Sequence, residues 1–365
     1  MTPTFLVGTS LESLDTPALY VDLDTLDANI LVLSSLLSEH GVHWRPHAKA
    51  HKSPAIAHRL LAAGAIGITC AKLSEAEVYA AAGIRDILIA NQVVGPLKAR
   101  RFAELATEID IMSAVDSVEG ARFLSEAAVI AGSQPRVLIE VDTGMARGGV
   151  DPGAAAVDLA KQIVRLPNLR FAGLMSWEGH VLSIQDGSSR EEAIRTAVGQ
   201  LLAAAEAIRA EGIPVDIVSC GGTGTVVTAR GIEGITEVQA GGGIFGDAFY
   251  RHLEVPVAPA LFVKVTVTSR PTPSRILFDA GRKTIDPSNL PPEVVGLDHI
   301  EGVSLSAEHG SIRLSEPNDT VKVGDSLTLR VGYSDQAVHL HEQIHAVRNG
   351  TVVAIWPTLA RGRLT

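Results

Sequence analysis

Lysine, histidine and arginine crowd into RPHAKAHKS (45–53), and two glycine-rich runs, CGGTGT (220–225) and AGGGIFG (240–246), follow much later in the chain. A deprotonated lysine condenses with an aldehyde to form a Schiff base, and closely spaced backbone N–H groups in glycine-rich turns hold phosphate. A cofactor bearing both an aldehyde and a phosphate satisfies both features, and pyridoxal phosphate is such a molecule. Two lysines compete for the aldehyde, Lys49 and Lys72, the latter in ITCAKLSEAE (68–77). Alternation with period two places Arg45, His47 and Lys49 on one face of a strand, with Trp44 and Pro46 on the other. Flanked by histidines and Arg45, Lys49 sits in a cationic setting that favours the free amine, which prefers it over Lys72. Neither glycine run matches a Walker loop or a GxGxxG dinucleotide fingerprint.

These groups need elements to hold them. From residue 43 to about 245, short β-rich runs alternate with longer stretches of helical period, the pattern of repeated βα units. The strand candidates begin at His43, Gly67, Asp86, Ile109, Val137, Phe171, Asp216 and Thr236, separated by stretches such as EAEVYAAAG and GAAAVDLAKQIVRL. Eight such strands predict an α/β fold with a (β/α)8 barrel, an open doubly wound sheet being the alternative. Strand C-terminal ends converge on one site in a barrel, and here they carry Arg45, His47, Lys49, Lys72, Asn91, Asp142, Ser176, Glu178 and His180. The glycine runs end the last two strands, where barrels commonly hold phosphate. After roughly residue 255 the pattern turns to alternating Val, Thr and Leu with turn residues, predicting a β-rich C-terminal domain. The expected boundaries are 17–255 for the barrel and 256–365, joined by 1–16, for the β domain. Asn349-Gly350, between IHAVR and TVVAIW, predicts a tight hairpin.

With 46% hydrophobic and 20% charged residues over 365 positions, the chain can bury a large core. A formal net charge of −10, with both signs interspersed, leaves no basic stripe for nucleic acid. The two cysteines, Cys70 and Cys220, lie inside apolar runs, so neither a disulfide framework nor a cysteine-held zinc is expected. The opening MTPTFLVGTSLESLDTP lacks a basic segment leading into a long apolar one, and no later segment offers about 18 uninterrupted apolar residues. A soluble, cytoplasmic protein acting on a small molecule is expected.

Beyond RPHAKAHKS, ITCAKLSEAE and the glycine runs, EVDTGMARGGV (140–150), MSWEGH (175–180), VSCGGTGT (218–225), EVQAGGGIFGDAFY (237–250), ILFDAGRK (276–283), SAEHG (306–310) and VRNGTVVAIWPTLARG (347–362) occur in this order. In these motifs the chain resembles the D-threonine aldolase and D-serine dehydratase family, whose members share the alanine racemase type of pyridoxal phosphate fold. The resemblance implies a homodimer with its site between barrel mouth and β domain. It implies that Lys49 carries the cofactor, with His47 and Arg147 nearby. It also implies a phosphate cradle of Gly222, Thr223, Gly224, Gly241 and Gly242, and a place for Gln239 at the pyridine nitrogen.

The sequence departs from that family at one point above all. The family pattern holds a divalent metal (Mn2+, Mg2+ or Zn2+) in the β domain with a His-x-Asp or His-x-Cys pair, where this chain has Tyr333-Ser334-Asp335. Asp335 keeps one ligand position. On a regular strand His339 and His341 would share its side, but Asp335 and His339 would lie roughly 13 Å apart, too far for one ion. Tyr333 is then positioned to donate a hydrogen bond to a substrate 3-hydroxyl in place of the metal. A family tyrosine after the second glycine run is likewise replaced, by Gly243.

The resemblance implies a lyase acting on D-3-hydroxy amino acids. In the aldolase reading, His180 takes the 3-hydroxyl proton and the Cα–Cβ bond breaks, releasing glycine and an aldehyde. Dehydration of D-serine or 3-hydroxy-D-aspartate is the second reading, racemisation the third, and a non-catalytic pyridoxal phosphate carrier the fourth. Loss of hydroxide asks more of a Lewis acid than carbon–carbon cleavage does, so the altered metal pair favours the aldolase.

Overall fold

The computed structural model describes residues 6–365. They form two compact units, one from residues 33–49, 57–241 and 362–365, the other from 6–32, 50–56 and 242–361. Numbered in chain order, β1 (Ala18–Asp22) and α1 (Leu23–Ser38) come first.

All eight expected barrel strands are present: β2 (His43–Trp44), β3 (Ile68–Cys70), β4 (Asp86–Gln92), β5 (Asp110–Val115), β6 (Arg136–Glu140), β7 (Arg170–Met175), β8 (Ile217–Cys220) and β9 (Glu237–Val238). Helices α2 (Pro54–Ala62), α3 (Leu73–Ala81), α4 (Pro96–Leu105), α5 (Val118–Ala131), α6 (Ala154–Ile163), α7 (Gly187–Ala210) and α8 (Val226–Ala229) lie between them in sequence. The strands run in the order β2-β9-β8-β7-β6-β5-β4-β3, every pair parallel. A parallel bridge between His47 and Thr69 joins the extension of β2 to β3 and closes the ring.

Local chemistry sets the helix ends. Ser117 caps α5 by accepting the Gly120 N–H, and Gly132 ends it in the left-handed conformation that costs glycine nothing. Along α7, Ile194, Ala197, Val198, Leu201, Ala204, Ala205 and Ile208 recur every three or four residues and are buried as one stripe.

Side chains two apart on a strand share a face, so the barrel fills in layers. Leu88, Met112, Ala114, Leu138, Ala172 and Met175 form a buried apolar cluster. The layer at the strand starts is charged. Asp86, Asp110, Arg136 and Glu237 open β4, β5, β6 and β9, and the guanidinium of Arg45 reaches among them. Arg45 binds Asp86 at 2.6 Å and Glu237 at 2.9 Å, while Arg136 binds Asp110 at 2.7 Å and Asp86 at 3.4 Å.

The second unit is β-rich, as expected. Its sheet contains β1, β10 (Leu261–Thr272), β11 (Arg275–Phe278), β12 (Glu293–Val294), β13 (Ile300–Leu305), β14 (Gly310–Leu314), β15 (Ser326–Arg330), β16 (Gln343–Arg348) and β17 (Thr351–Pro357). β1 lies antiparallel to β10 and parallel to β16, and the other pairings are antiparallel. The hairpin at Asn349-Gly350 forms, with φ of 49° and 72° and Arg348 opposite Thr351. The β13–β14 hairpin is not marked by the apolar alternation of the sequence, because β13 is partly exposed on both faces. Two short helices, α9 (Ala248–His252) and α10 (Ser334–Ala337), complete the unit.

Arg45 has 2% side-chain exposure, and so does Glu237. Removing the cation strands Glu237 in the interior, so Arg45→Met is expected to lose about 3–5 kcal/mol of stability. A urea melt of Arg45→Met within about 1 kcal/mol of the unaltered protein would show that the barrel does not depend on this pairing.

Candidate active site

Lys49 is placed by the closing strand. Beyond β2 the ladder continues, with Arg45 N–H donating to Val238 O at 3.0 Å, His47 N–H to Gln239 O at 3.1 Å and Thr69 N–H to Pro46 O at 2.9 Å. It then ends in a 3-10 turn, Ala48–Ala50, in which Lys49 N–H donates to His47 Nδ1 at 3.3 Å. Two expectations are corrected here. Strand parity stops at His47, so Lys49 is presented by a turn. Arg45 supplies no cationic neighbour for it, since its guanidinium runs to the opposite end of the barrel and is neutralised by Asp86 and Glu237. Lys72 instead stands at the N-terminus of α3, its N–H donating to Glu75 Oε2 at 3.0 Å.

The two glycine loops end β9, the strand next to β2, and β8, the strand beyond it. A Cβ on Gly241 would lie 2.2 Å from the carbonyl oxygen of His47, so only glycine lets the second loop meet the strand that carries Lys49. In the first loop Gly222 N–H donates to Thr225 Oγ1 at 3.1 Å, and Thr223 is buried. Ser176 Oγ, just past the end of β7, is buried without a hydrogen-bond partner among the described residues. A backbone cradle that side chains would fill, beside an unsatisfied buried hydroxyl, fits a phosphorylated cofactor. Gln239 is buried and donates from Nε2 to Ser219 Oγ at 3.0 Å. Arg147, half exposed, pairs with buried Glu140 at 3.3 Å.

His180 follows β7 in a 3-10 turn, Gly179–Ser183. With Thr143, Glu192, Thr196 and Gln200 it lines an open groove of about 420 Å³ along α7. His180 Nδ1 and Thr143 Oγ1 are both buried and lack partners among the described residues. His180 is not tied up by Glu178, whose carboxylate is engaged by Thr225 and Gly221.

Tyr333 and Asp335 lie in the β-rich unit. Residues 334–337 form α10 and Val338–Leu340 a 3-10 turn, which corrects the expectation of a strand through Asp335, His339 and His341. The Tyr333 hydroxyl donates to Asp335 Oδ2 at 3.0 Å, His339 Nδ1 to the Asp335 carbonyl at 3.2 Å and His341 Nε2 to the Thr284 carbonyl at 2.9 Å. Among the described residues no three His, Cys, Asp or Glu side chains gather to hold a metal. Burial raises the pKa of the Tyr333 phenol, which opposes the phenolate a cation would require. These residues do not fit a divalent cation.

Two neighbours were missed in the sequence. Asp247 is fully buried, caps α9 through the Tyr250 N–H at 3.1 Å and accepts the Ser334 N–H at 2.7 Å, tying α9 to α10. Burial pushes its carboxyl up to about 7. Tyr250 is also buried, its ring edge-on to that of Tyr333 with centroids 6.1 Å apart. Its hydroxyl would lie 2.6 Å from a Cβ on Gly242, so a tyrosine does reach the second glycine loop, from seven residues beyond Gly243. The DAFY run after AGGGIFG was the available signal.

A closed parallel barrel, with a lysine in the turn that follows the closing strand and glycine loops after the next two strands, defines the alanine racemase class of barrel. Residues 21–248 match the alanine racemase N-terminal domain, and residues 260–347 match a putative serine dehydratase domain. The chain is 38% identical to a D-threonine aldolase of an Arthrobacter species, over 97% of this chain and 95% of that one. It is 33% identical to a 3-hydroxy-D-aspartate aldolase of Paracoccus denitrificans, over 98% and 95% respectively. The crystal structure of D-threonine aldolase from Filomicrobium marinum superposes with a TM-score of 0.94 at 34% identity, covering 98% of each chain. The chain belongs to the D-threonine aldolase and D-serine dehydratase family.

Gly241→Ala is expected to cost about 1–3 kcal/mol and to weaken pyridoxal phosphate binding, because its Cβ collides with backbone. Gly199→Ala, with open space around it in α7, serves as the control and is expected to be neutral or stabilising. Equal melting temperatures and equal cofactor titrations for the two variants would contradict the close approach.

Proposed function

We propose that this chain is a pyridoxal phosphate-dependent lyase that cleaves D-3-hydroxy amino acids between Cα and Cβ, releasing glycine and an aldehyde. The observation that carries the reading is the approach of Gly241 to the His47 backbone, two residues from Lys49. Pyridoxal phosphate, when bound, supplies a conjugated ring that accepts the electrons of a bond broken at Cα. In our reading Lys49 holds it, the backbone of Gly222, Thr223, Gly224, Gly241 and Gly242 receives its phosphate, and His47, Arg147 and Gln239 orient it.

His180 takes the proton of the 3-hydroxyl. An imidazole nitrogen can accept that proton, and among the described residues its Nδ1 has no partner that would have to be displaced. Tyr333, whose single O–H donates to Asp335 Oδ2 in this structure, turns that proton to the 3-hydroxyl oxygen when substrate binds. A phenol stabilises departing hydroxide less well than a dication does, so this pair favours carbon–carbon cleavage over dehydration. Asp335 is the acceptor that holds the phenol in place until substrate takes over its hydrogen bond.

Among the described residues no helix is long and apolar enough to cross a membrane. The buried free thiols of Cys70 and Cys220 suit a reducing cytoplasm, and the working unit we propose is a homodimer.

Incubated with D-threonine, the cofactor-loaded protein is expected to release glycine and acetaldehyde at a rate indifferent to EDTA. Tyr333→Phe is expected to lower kcat about 100-fold, in the range of general acid–base contributions. A 2-oxo acid with ammonia would establish the dehydratase instead. Abolition by EDTA would return the metal, and cofactor binding with no turnover would leave a carrier.

A further inference from the structure

Glu178 is a fully buried ionisable group at the mouth of the barrel with no part in the reaction set out above. Its Oε1 accepts the hydroxyl of Thr225 at 2.6 Å, and its Oε2 accepts the Gly221 N–H at 3.3 Å. Thr225 Oγ1 in turn accepts the Gly222 N–H at 3.1 Å. Three hydrogen bonds thus tie down both ends of the loop 221–225. The preceding residue presses on the same loop: a Cβ on Gly222 would lie 2.6 Å from two atoms of the Trp177 ring.

No cation pairs with Glu178 among the described residues, and burial raises its pKa. Burying a carboxyl without a countercharge is unfavourable, and hydrogen bonds to loop groups are its return. A loop that must present amides to an anion needs that return, because a flexible glycine turn would otherwise lose its shape.

We propose that Glu178 is a positioning residue for the cofactor phosphate: it fixes the loop 221–225 in its anion-holding shape without touching the cofactor. This rests on the pyridoxal phosphate reading. The effect is therefore specific to the phosphate, and it passes through Thr225.

The test compares pyridoxal phosphate with pyridoxal, which has the same ring and aldehyde but no phosphate, by titrating each into the apo form of the full chain. Glu178→Gln keeps the size of the side chain but places an NH2 against a donor, and is expected to raise the Kd for pyridoxal phosphate at least about tenfold. Pyridoxal affinity is expected to stay unchanged. Thr225→Val is expected to act in the same direction, the double variant to be no worse than either single one, and Thr225→Ser to bind as the unaltered protein does. Unaltered pyridoxal phosphate affinity in Glu178→Gln, or equal losses for both ligands, would overturn the proposal while leaving the functional reading intact. Failure of the unaltered protein to bind pyridoxal phosphate would overturn the reading, and this inference with it.

Discussion

A single buried guanidinium holds the closing strand of the barrel. β2 has only two residues of regular strand, and the ladder continues past it only as far as His47, a short seam on which to close a ring. Arg45 compensates by bridging the first residues of β4 and β9, on opposite sides of the seam. Because Arg45 and Glu237 are both desolvated, each needs the other, while Asp86, partly exposed and also paired with Arg136, adds a second anchor. Lys49 lies four residues further on, in the 3-10 turn that ends this strand, so its position is inherited from an ion cluster at the other end of the barrel.

That arrangement divides labour along the barrel axis. Charges gather at the strand starts, an apolar layer fills the middle, and polar groups stand at the strand ends, where we place the chemistry. At the mouth, the groups we assign to the cofactor follow β2, β8 and β9, with Arg147 beyond β6, and Ser176, Glu178 and His180 follow β7. The β-rich unit carries a second polar cluster, Tyr250, Tyr333, Asp335 and Asp247, built on the starts of two short helices. In it a phenol is hydrogen-bonded to a carboxylate, a pair that offers hydrogen bonding rather than charge neutralisation.

Much of this was legible in the sequence. The eight strands announce themselves because buried parallel strands are continuous apolar runs, and the Asn349-Gly350 hairpin because both turn residues tolerate positive φ. What was not legible depends on where long side chains run and where regular structure stops. Period two put Arg45 on the face of His47 correctly, but it carries no information on which end of the barrel the guanidinium reaches. The same rule fails at Lys49 because the strand has already become a turn, and at Asp335 because the segment is helical. Tyr250 and Glu178 were within quoted motifs, yet their roles follow from tertiary neighbours, Tyr333 and Gly242 for one and the 221–225 loop for the other.

The central claim is that Lys49, set by the closing strand, is the residue bonded to pyridoxal phosphate. Borohydride reduction of the loaded protein, followed by proteolysis and mass spectrometry, locates the bond by the mass of the trapped pyridoxyl group. The account predicts one modified peptide, containing Lys49, in stoichiometric yield. A pyridoxyl group on Lys72, or spread without preference over surface lysines, would contradict it.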